Sequence, residues 1–398
     1  MNDWRHQFSQ FFLKSASVNF LLPVTNFFVF ADTVTAINYT KTIKGEGWLG
    51  VRFQLTPDGR PNDLVLHVKL LDNDNRLQQQ AIGVLGVNLI YGVYRYFRDA
   101  ETLLVSLMDS LHGRVSIDMV RLTGPDFALL DNRWISLMLI KHHLSDVAIF
   151  GPDGKNIHAS EFLYKKNVLV VRGSFRPVTL VNEDMIKASW EQFKHEKEVD
   201  PKKAVLMTEI TLDNLKLEGS LDEKDFLDRA DLLCALGYYV MVTNCEQHQL
   251  LINYLSDYKV AKLGLVVGVK NLLDIINSKY YENLDGRLLT AFGELFTRNV
   301  KVYVYPMLQE GSKDLMTAEN IPAPDGVKFL YKHLIDSRQI VDIVRFKAEN
   351  LIIYSTQVLH MIQHDEEGWE ALVPTKVAEL VKEKCLFGFP AEKLEFSY

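Results

Sequence analysis

Val168–Phe193 reads VLVVRGSFRPVTLVNEDMIKASWEQF, and its pattern decides the fold. Val168, Leu169, Val170 and Val171 form an unbroken β-branched and aliphatic run, the composition of a strand buried on both faces of a parallel sheet. Gly173 breaks the run and Pro177 prevents its simple continuation. Asn182, Glu183 and Asp184 read as a helix start, a capping side chain followed by acids in the first turn. Ile186, Trp190 and Phe193 then fall on one helical face. The reading is strand, tight loop, helix. In an open parallel sheet such a loop lies at the carboxyl ends of the strands, where ligands bind. A helix N-terminus there offers backbone N–H groups that suit a phosphate.

The chain downstream repeats this rhythm. Strands are expected at Ala204–Thr208, Tyr238–Asn244, Leu263–Val267 and Val300–Tyr305. Helices are expected at Leu221–Leu236, Glu246–Tyr258, Leu272–Ser278, Leu288–Phe296, Val327–Ile340 and Thr356–Gln363, with a short strand at Leu351–Ile353. Alternation at this spacing predicts a doubly wound, mainly parallel sheet. Upstream the pattern differs. Leu49–Leu55 alternates, Pro57-Asp58-Gly59 is a turn, and Leu64–Leu71 is a second strand, which together predict an antiparallel β ribbon. Ala81–Phe97 reads as a buried helix, and residues 1–18 as an amphipathic helix with Trp4, Phe8, Phe11 and Phe12 on one face. The charged connector Lys194–Lys203 carries a proline and reads as a domain boundary. The expectation is α/β with two domains: 1–196, mixed α/β with the antiparallel ribbon, and 203–398, Rossmann-like with a helical tail.

The 398 residues are 47% hydrophobic and 24% charged, an ordinary balance for a globular chain. A net charge of −7 argues against general nucleic-acid binding, because no basic excess is present to release counterions. Cys234, Cys245 and Cys385 give an odd count without a CxxC pair. That count fits a reducing cytoplasm and argues against a zinc ribbon or disulfide framework. No run of about 18 uninterrupted apolar residues reads as a membrane span.

Gly173-Ser174-Phe175-Arg176-Pro177-Val178-Thr179 resembles the first motif of the nicotinate/nicotinamide mononucleotide adenylyltransferases, a Gly-Ser/Thr-Phe-Asp-Pro loop that leads into His/Thr-x-Gly-His. The whole chain also resembles a bacterial family labelled with that adenylyltransferase name. The likeness implies a nucleotidyltransferase-like enzyme on a phosphate-bearing pyridine nucleotide. Thr179, Asn182 and Arg176 would be its catalytic groups, Arg172, Gly173 and Ser174 its phosphate-binding groups, and Mg2+ its cofactor if nucleotidyl transfer occurs. Here Arg176 stands in place of the motif's aspartate, Val181 in place of its glycine and Asn182 in place of its second histidine. The family's second motif is absent.

A second polar constellation lies in Ser116–Phe150. Asp118, Arg121, Asp126, Asp131 and Arg133 cluster in the sequence around a strand-to-helix corner that reads as part of a βαβ unit. Two arginines among three carboxylates suit either a phosphate or a salt-bridged corner. Asp72–Asn75 lacks the glycine and distal glutamate of a calcium loop. His142-His143 closes a helix, and His360 and His364 stand four apart without an HExxH context. No metal ligand is assigned. Val240–Asn244 looks like the second motif of haloacid-dehalogenase-type phosphatases, but Met207–Thr211 lacks their aspartate nucleophile. Three readings therefore stand side by side: a phosphate-ligand enzyme, a non-catalytic nucleotide-binding or regulatory tandem α/β protein, and a relic of a haloacid-dehalogenase-like hydrolase. The partners expected are a small phosphate ligand, no nucleic acid, no membrane, and for the apolar stretch Leu386–Pro390 either the body or a second subunit of a homo-oligomer.

Overall fold

The computed structural model describes residues 28–390, apart from 43, 57–58, 218–219, 278–286, 297–299 and 310. The helix expected over residues 1–18 and part of the turn at Pro57-Asp58 lie outside the described residues. The chain divides into two compact units, Met1–Ala148 and Ile149–Tyr398.

In the first unit, β1 (Phe28–Thr35), β2 (Gly45–Phe53), β3 (Asn62–Leu70) and β4 (Val115–Thr123) pair antiparallel in that order. Alternation puts Leu49, Val51, Leu64, Leu66 and Val68 at full burial. Among its described residues the unit also has three α-helices: α1 (Asn75–Tyr96), α2 (Ala100–Ser106) and α3 (Asn132–Lys141). Asp74 and Asp99 cap the first two through their side chains. Asp72 pairs with Arg114 at 2.8 Å, so the stretch scanned for calcium is spent on a cap and an ion pair. The outer edge of β4 is closed by a carboxamide. Leu122 N–H donates to Asn132 Oδ1 at 2.8 Å, and Asn132 Nδ2 returns a bond to Leu122 C=O at 2.9 Å.

The second sheet has seven strands: β5 (Val147–Phe150), β6 (Asn167–Arg172), β7 (Ala204–Thr211), β8 (Tyr239–Thr243), β9 (Lys262–Gly268), β10 (Val300–Tyr305) and β11 (Ile340–Asp342). Their order is β11-β10-β9-β6-β7-β8-β5, and the pairs from β11 through β8 are parallel. The connecting helices include α4 (Ala159–Leu163), α5 (Leu180–Lys194), α6 (Glu223–Ala235), α7 (His248–Asp257), α8 (Val269–Ile275), α9 (Arg287–Phe296) and α10 (Lys328–Asp336), followed by α11 (Ser355–Gln363) and α12 (Thr375–Lys384). Counted from β6, the order β8-β7-β6-β9-β10-β11 is the 3-2-1-4-5-6 of doubly wound nucleotide folds. The α/β expectation of an antiparallel first sheet and a mainly parallel second one is met.

Three expectations need correction. The division falls at Ala148/Ile149 and not in Lys194–Lys203. β6 pairs with both β7 and β9, so that connector merely joins a helix to the next strand of one sheet. Asp200 caps its 3-10 turn by accepting from Lys202 N–H at 3.0 Å. Second, β4 and β5 belong to different sheets, so Ser116–Phe150 is no βαβ unit. Third, Ile340–Asp342 is a strand where a helix end was expected, and Leu351–Ile353 is mostly a 3-10 turn. The Leu386–Pro390 stretch docks on the body: Phe387 N–H donates to Asp228 of α6 at 2.8 Å. No helix among the described residues is long and apolar enough to cross a membrane.

Candidate functional site

β6 occupies position 1 of the 3-2-1-4-5-6 order, so the loop Gly173–Thr179 is the first strand-to-helix connection of that six-strand order. It stands beside the reversal between β6 and β9, where such folds bind ligands. The sequence placed this loop at the right point of the architecture. Its contents are another matter.

Arg172 ends β6 in register with Glu209 of β7. Its guanidinium meets that carboxylate twice, Nε to Oε2 at 2.8 Å and Nη2 to Oε1 at 2.7 Å. The carbonyls of Cys245 and Glu246 each accept a further bond at 2.9 Å. The Thr243 hydroxyl donates to Glu209 Oε1 at 2.8 Å. Arg172 is 6% exposed and Glu209 0%. Burying two ions is tolerable only with this geometry and these extra bonds. The same network uses Thr243, the residue that resembled a phosphatase phosphate ligand. β7, moreover, is not the first strand of the order, so it is not placed as that fold's nucleophile strand.

Gly173 leaves room that the chain itself fills. A Cβ at Gly173 would lie 3.0 Å from the Phe175 ring, and Phe175 is fully buried. Arg176 Nε donates to Asp225 of α6 at 2.5 Å, and the other carboxylate oxygen of Asp225 pairs with Arg229. Arg229 also donates to Ser174 C=O at 3.0 Å and to Asn214 C=O at 2.8 Å. Burial pulls the Arg229 pKa down, and Asp225 opposes that shift. At the helix start, Asn182 Oδ1 accepts both the Thr179 N–H and the Thr179 hydroxyl at 3.0 Å. Thr179 is therefore the N-cap of α5 and Asn182 its third residue, joined in a capping box. The helix starts three residues before the expected point. All six predicted residues are gathered at one corner: Arg172 is bound to β7 and to the residues after β8, Arg176 to α6, and Thr179 to Asn182, while Ser174 is exposed.

Two further groups at this end of the sheet were not singled out from sequence. His248 opens α7, is 8% exposed, and its Nε2 has no hydrogen-bond partner among the described residues. Burial drives its pKa well below the ordinary value, with Arg172 adding to the effect. Asp213 and Glu246 share a hydrogen bond that raises the Glu246 pKa, while Lys216 at 2.5 Å holds Asp213 low. Glu209, Asp225 and Arg229 were missed as well. The only available signal was a charge inside an otherwise apolar strand or on a helix's inner face.

The second constellation does not converge. Asp118 is the extra residue of a β-bulge between the pairs His67↔Met119 and Val68↔Ile117, and it hydrogen-bonds His67 Nδ1 at 2.6 Å. The bulge turns its carboxylate onto the His67 face. Arg121 stands opposite Val65 in the same ladder. Asp126 accepts from Asn62 at 2.7 Å. Asp131 caps α3 and pairs with Arg133 at 2.6 Å. His142 Nε2 lies 2.6 Å from Glu101. His360 and His364 stack with ring centroids 4.0 Å apart, which is not a converging ligand geometry.

No family model matches the chain, and no curated protein matches it. Among solved structures, MenC from Desulfotalea psychrophila aligns over 84% of this chain and 90% of that chain at 10% identity, with a TM-score of 0.15. At that TM-score the alignment carries no inference about fold or activity. What stands is the class: an α/β protein of two units, the second with a doubly wound sheet.

Proposed function

We infer that this chain is a non-catalytic regulatory or interaction protein in which the nucleotide-type loop has become an internal brace. The observation that supports this is the pairing of both loop arginines with carboxylates of the same chain, Arg172 with Glu209 and Arg176 with Asp225. Nucleotidyl transfer works by aiming cations and N–H donors at charge that develops on phosphate. Here both loop arginines are already aimed at internal carboxylates, and Phe175 takes the space above Gly173. The odd cysteine count, without a CxxC pair, supports a cytoplasmic setting.

A second reading keeps one specific observation on its side, the loop's position beside the β6/β9 reversal. In that reading a pyridine nucleotide displaces Asp225 from Arg176, whose side chain is 23% exposed against 5% for Arg172. A thermal-shift panel decides between them, with ATP, nicotinamide mononucleotide and nicotinate mononucleotide, each with and without Mg2+. The brace reading expects no member to move the midpoint. A ligand at about 100 times its Kd adds about 2.7 kcal/mol. Such a shift, lost in Arg176→Ala, would install the second reading.

A further inference from the structure

The sequence reads α1 as a buried helix, but the fold buries one face of it. Ala81, Ile82, Leu85, Leu89 and Val93 are turned into the first unit, where α1 packs on β2 and α2. The opposite face carries Gly83, Val87, Ile90, Tyr91 and Tyr94, all exposed, Val87 at 66% and Tyr94 at 76%. Steps of three and four place them in one stripe along the helix. The 18 residues Leu77–Tyr94 hold no charge, and Arg76 and Arg95 bracket them. A helix at the surface ordinarily turns charged side chains to water, and this one turns valine, isoleucine and tyrosine.

Two glycines of α1 differ in the same sense. A Cβ at Gly86 would lie 3.2 Å from the Phe30 ring, so packing on β1 accounts for that glycine. A Cβ at Gly83 would meet nothing within 4 Å. Glycine weakens a helix interior relative to other residues, and nothing among the described residues uses the room at Gly83.

We propose that this face seats a second copy of the chain, with the two α1 helices antiparallel and Val87 on the two-fold axis. The bulk of the stripe lies on the C-terminal side of Val87, and the room lies on the N-terminal side. In a two-fold pair, positions equally far from the axis on either side meet. With Val87 opposite Val87, Tyr91 falls opposite Gly83, and Tyr94 falls opposite Gln80, whose carboxamide can bond the phenol. The stripe thus fills its own gap, and each contact is made twice. Its exposed side chains offer about 500 Å² per copy, most of it from the two tyrosines, so the pair buries on the order of 1,000 Å², the lower limit for a specific interface. Arg76 of one copy and Arg98 of the other meet at the solvated rim, which holds the affinity down. The dimer is therefore expected at micromolar concentrations. It does not depend on how the corner after β6 is used.

The test is sedimentation velocity on the full chain over a concentration series, where a monomer–dimer equilibrium is expected. Val87→Glu should raise its Kd about tenfold or more. Gly83→Leu should weaken association as well, while raising the thermal midpoint of the monomer, because only the second copy occupies that room. Under diamide, Val87→Cys should form a disulfide between copies and Gln80→Cys should not, because the two copies of position 80 lie about 21 Å apart along the helix axis. The wild type, with Cys385 partly exposed, is the control, and circular dichroism confirms that each variant folds. A monomer at every concentration overturns the dimer, and so does a dimer that Val87→Glu leaves intact. Cross-linking at Gln80→Cys in place of Val87→Cys overturns the antiparallel register. Two other results reassign the face and overturn the proposal: binding of the monomer to phosphatidylcholine vesicles, lost in Val87→Glu, gives it to lipid, and a disulfide within one chain between Phe8→Cys and Val87→Cys gives it to the chain's own first residues.

Discussion

At the corner after β6, Arg172 and Arg176 meet Glu209 and Asp225 within 2.8 Å, and a phenyl ring fills the space over Gly173. At the outer edge of β11, the Gln192 carboxamide spans Asp342 C=O and Val344 N–H. Both regions belong to one sheet. The difference lies in what burial demands. A guanidinium 6% exposed cannot be left without an anion, so the fold commits a carboxylate to it permanently. At the rim of β11 a neutral carboxamide suffices, because Val344 is 72% exposed and a backbone group there keeps water as an alternative. The corner that looks functional in the sequence thus spends both its arginines on internal carboxylates.

The corner breaks most severely at Glu209. Glu209→Ala leaves Arg172 buried without its anion, and the expected loss is about 3–5 kcal/mol in chemical denaturation. Replacing both residues with methionine removes the stranded charge and should recover most of that loss. A Glu209→Ala protein of near wild-type stability would mean that Arg172 does not depend on this brace, and the comparison would collapse.

Asp225 comes next. Asp225→Asn leaves Arg176 and Arg229 side by side, with Arg229 at 1% exposure. The expected cost is about 2–4 kcal/mol. The variant should also acquire an anion response that the wild type lacks, with pyrophosphate raising its melting midpoint. If pyrophosphate stabilises the wild type equally, the corner was never closed.

His248 sharpens the same contrast by pH. Burial, then Arg172, depresses its folded pKa well below the ordinary value of 6.5. The folded protein keeps the ring neutral, while the unfolded chain takes up a proton near pH 6.5. Stability from this group is full above that value and is lost as pH falls below it toward the depressed folded pKa. Its contribution to the slope is at most about 1.4 kcal/mol per pH unit. Denaturation midpoints of His248→Gln between pH 7 and pH 5 should therefore vary less steeply than those of the wild type. Parallel slopes would show that the ring protonates in the fold.

Periodicity carried the strands and helices because β-branched runs and helical spacing are local signals. Val168–Val171 and Val300–Tyr305 were legible for that reason. The corner's arginines were legible too, but their partners were not. Glu209 lies 37 residues from Arg172, and Asp225 lies 49 from Arg176. Only the parallel register of β6 on β7 and the seat of α6 bring them together. Lys194–Lys203 misled because a polar connection inside one sheet has the composition of a linker. β11 was missed, and its first residue Ile340 was read as a helix end, since three residues, Ile340–Asp342, are too short to display a period.

Gln192 offers the mildest perturbation and the finest test of the comparison. Its two bonds to Asp342 C=O and Val344 N–H join a surface helix to an edge strand 150 residues away. Water replaces most of what they supply, because Val344 is 72% exposed. Gln192→Ala should cost only about 0.5–1.5 kcal/mol. Hydrogen exchange at the Val344 amide should quicken while that of the β6 amides is unchanged. Unchanged exchange at the Val344 amide in Gln192→Ala would show that the carboxamide does not protect this edge, and the contrast with the corner would lose its milder half.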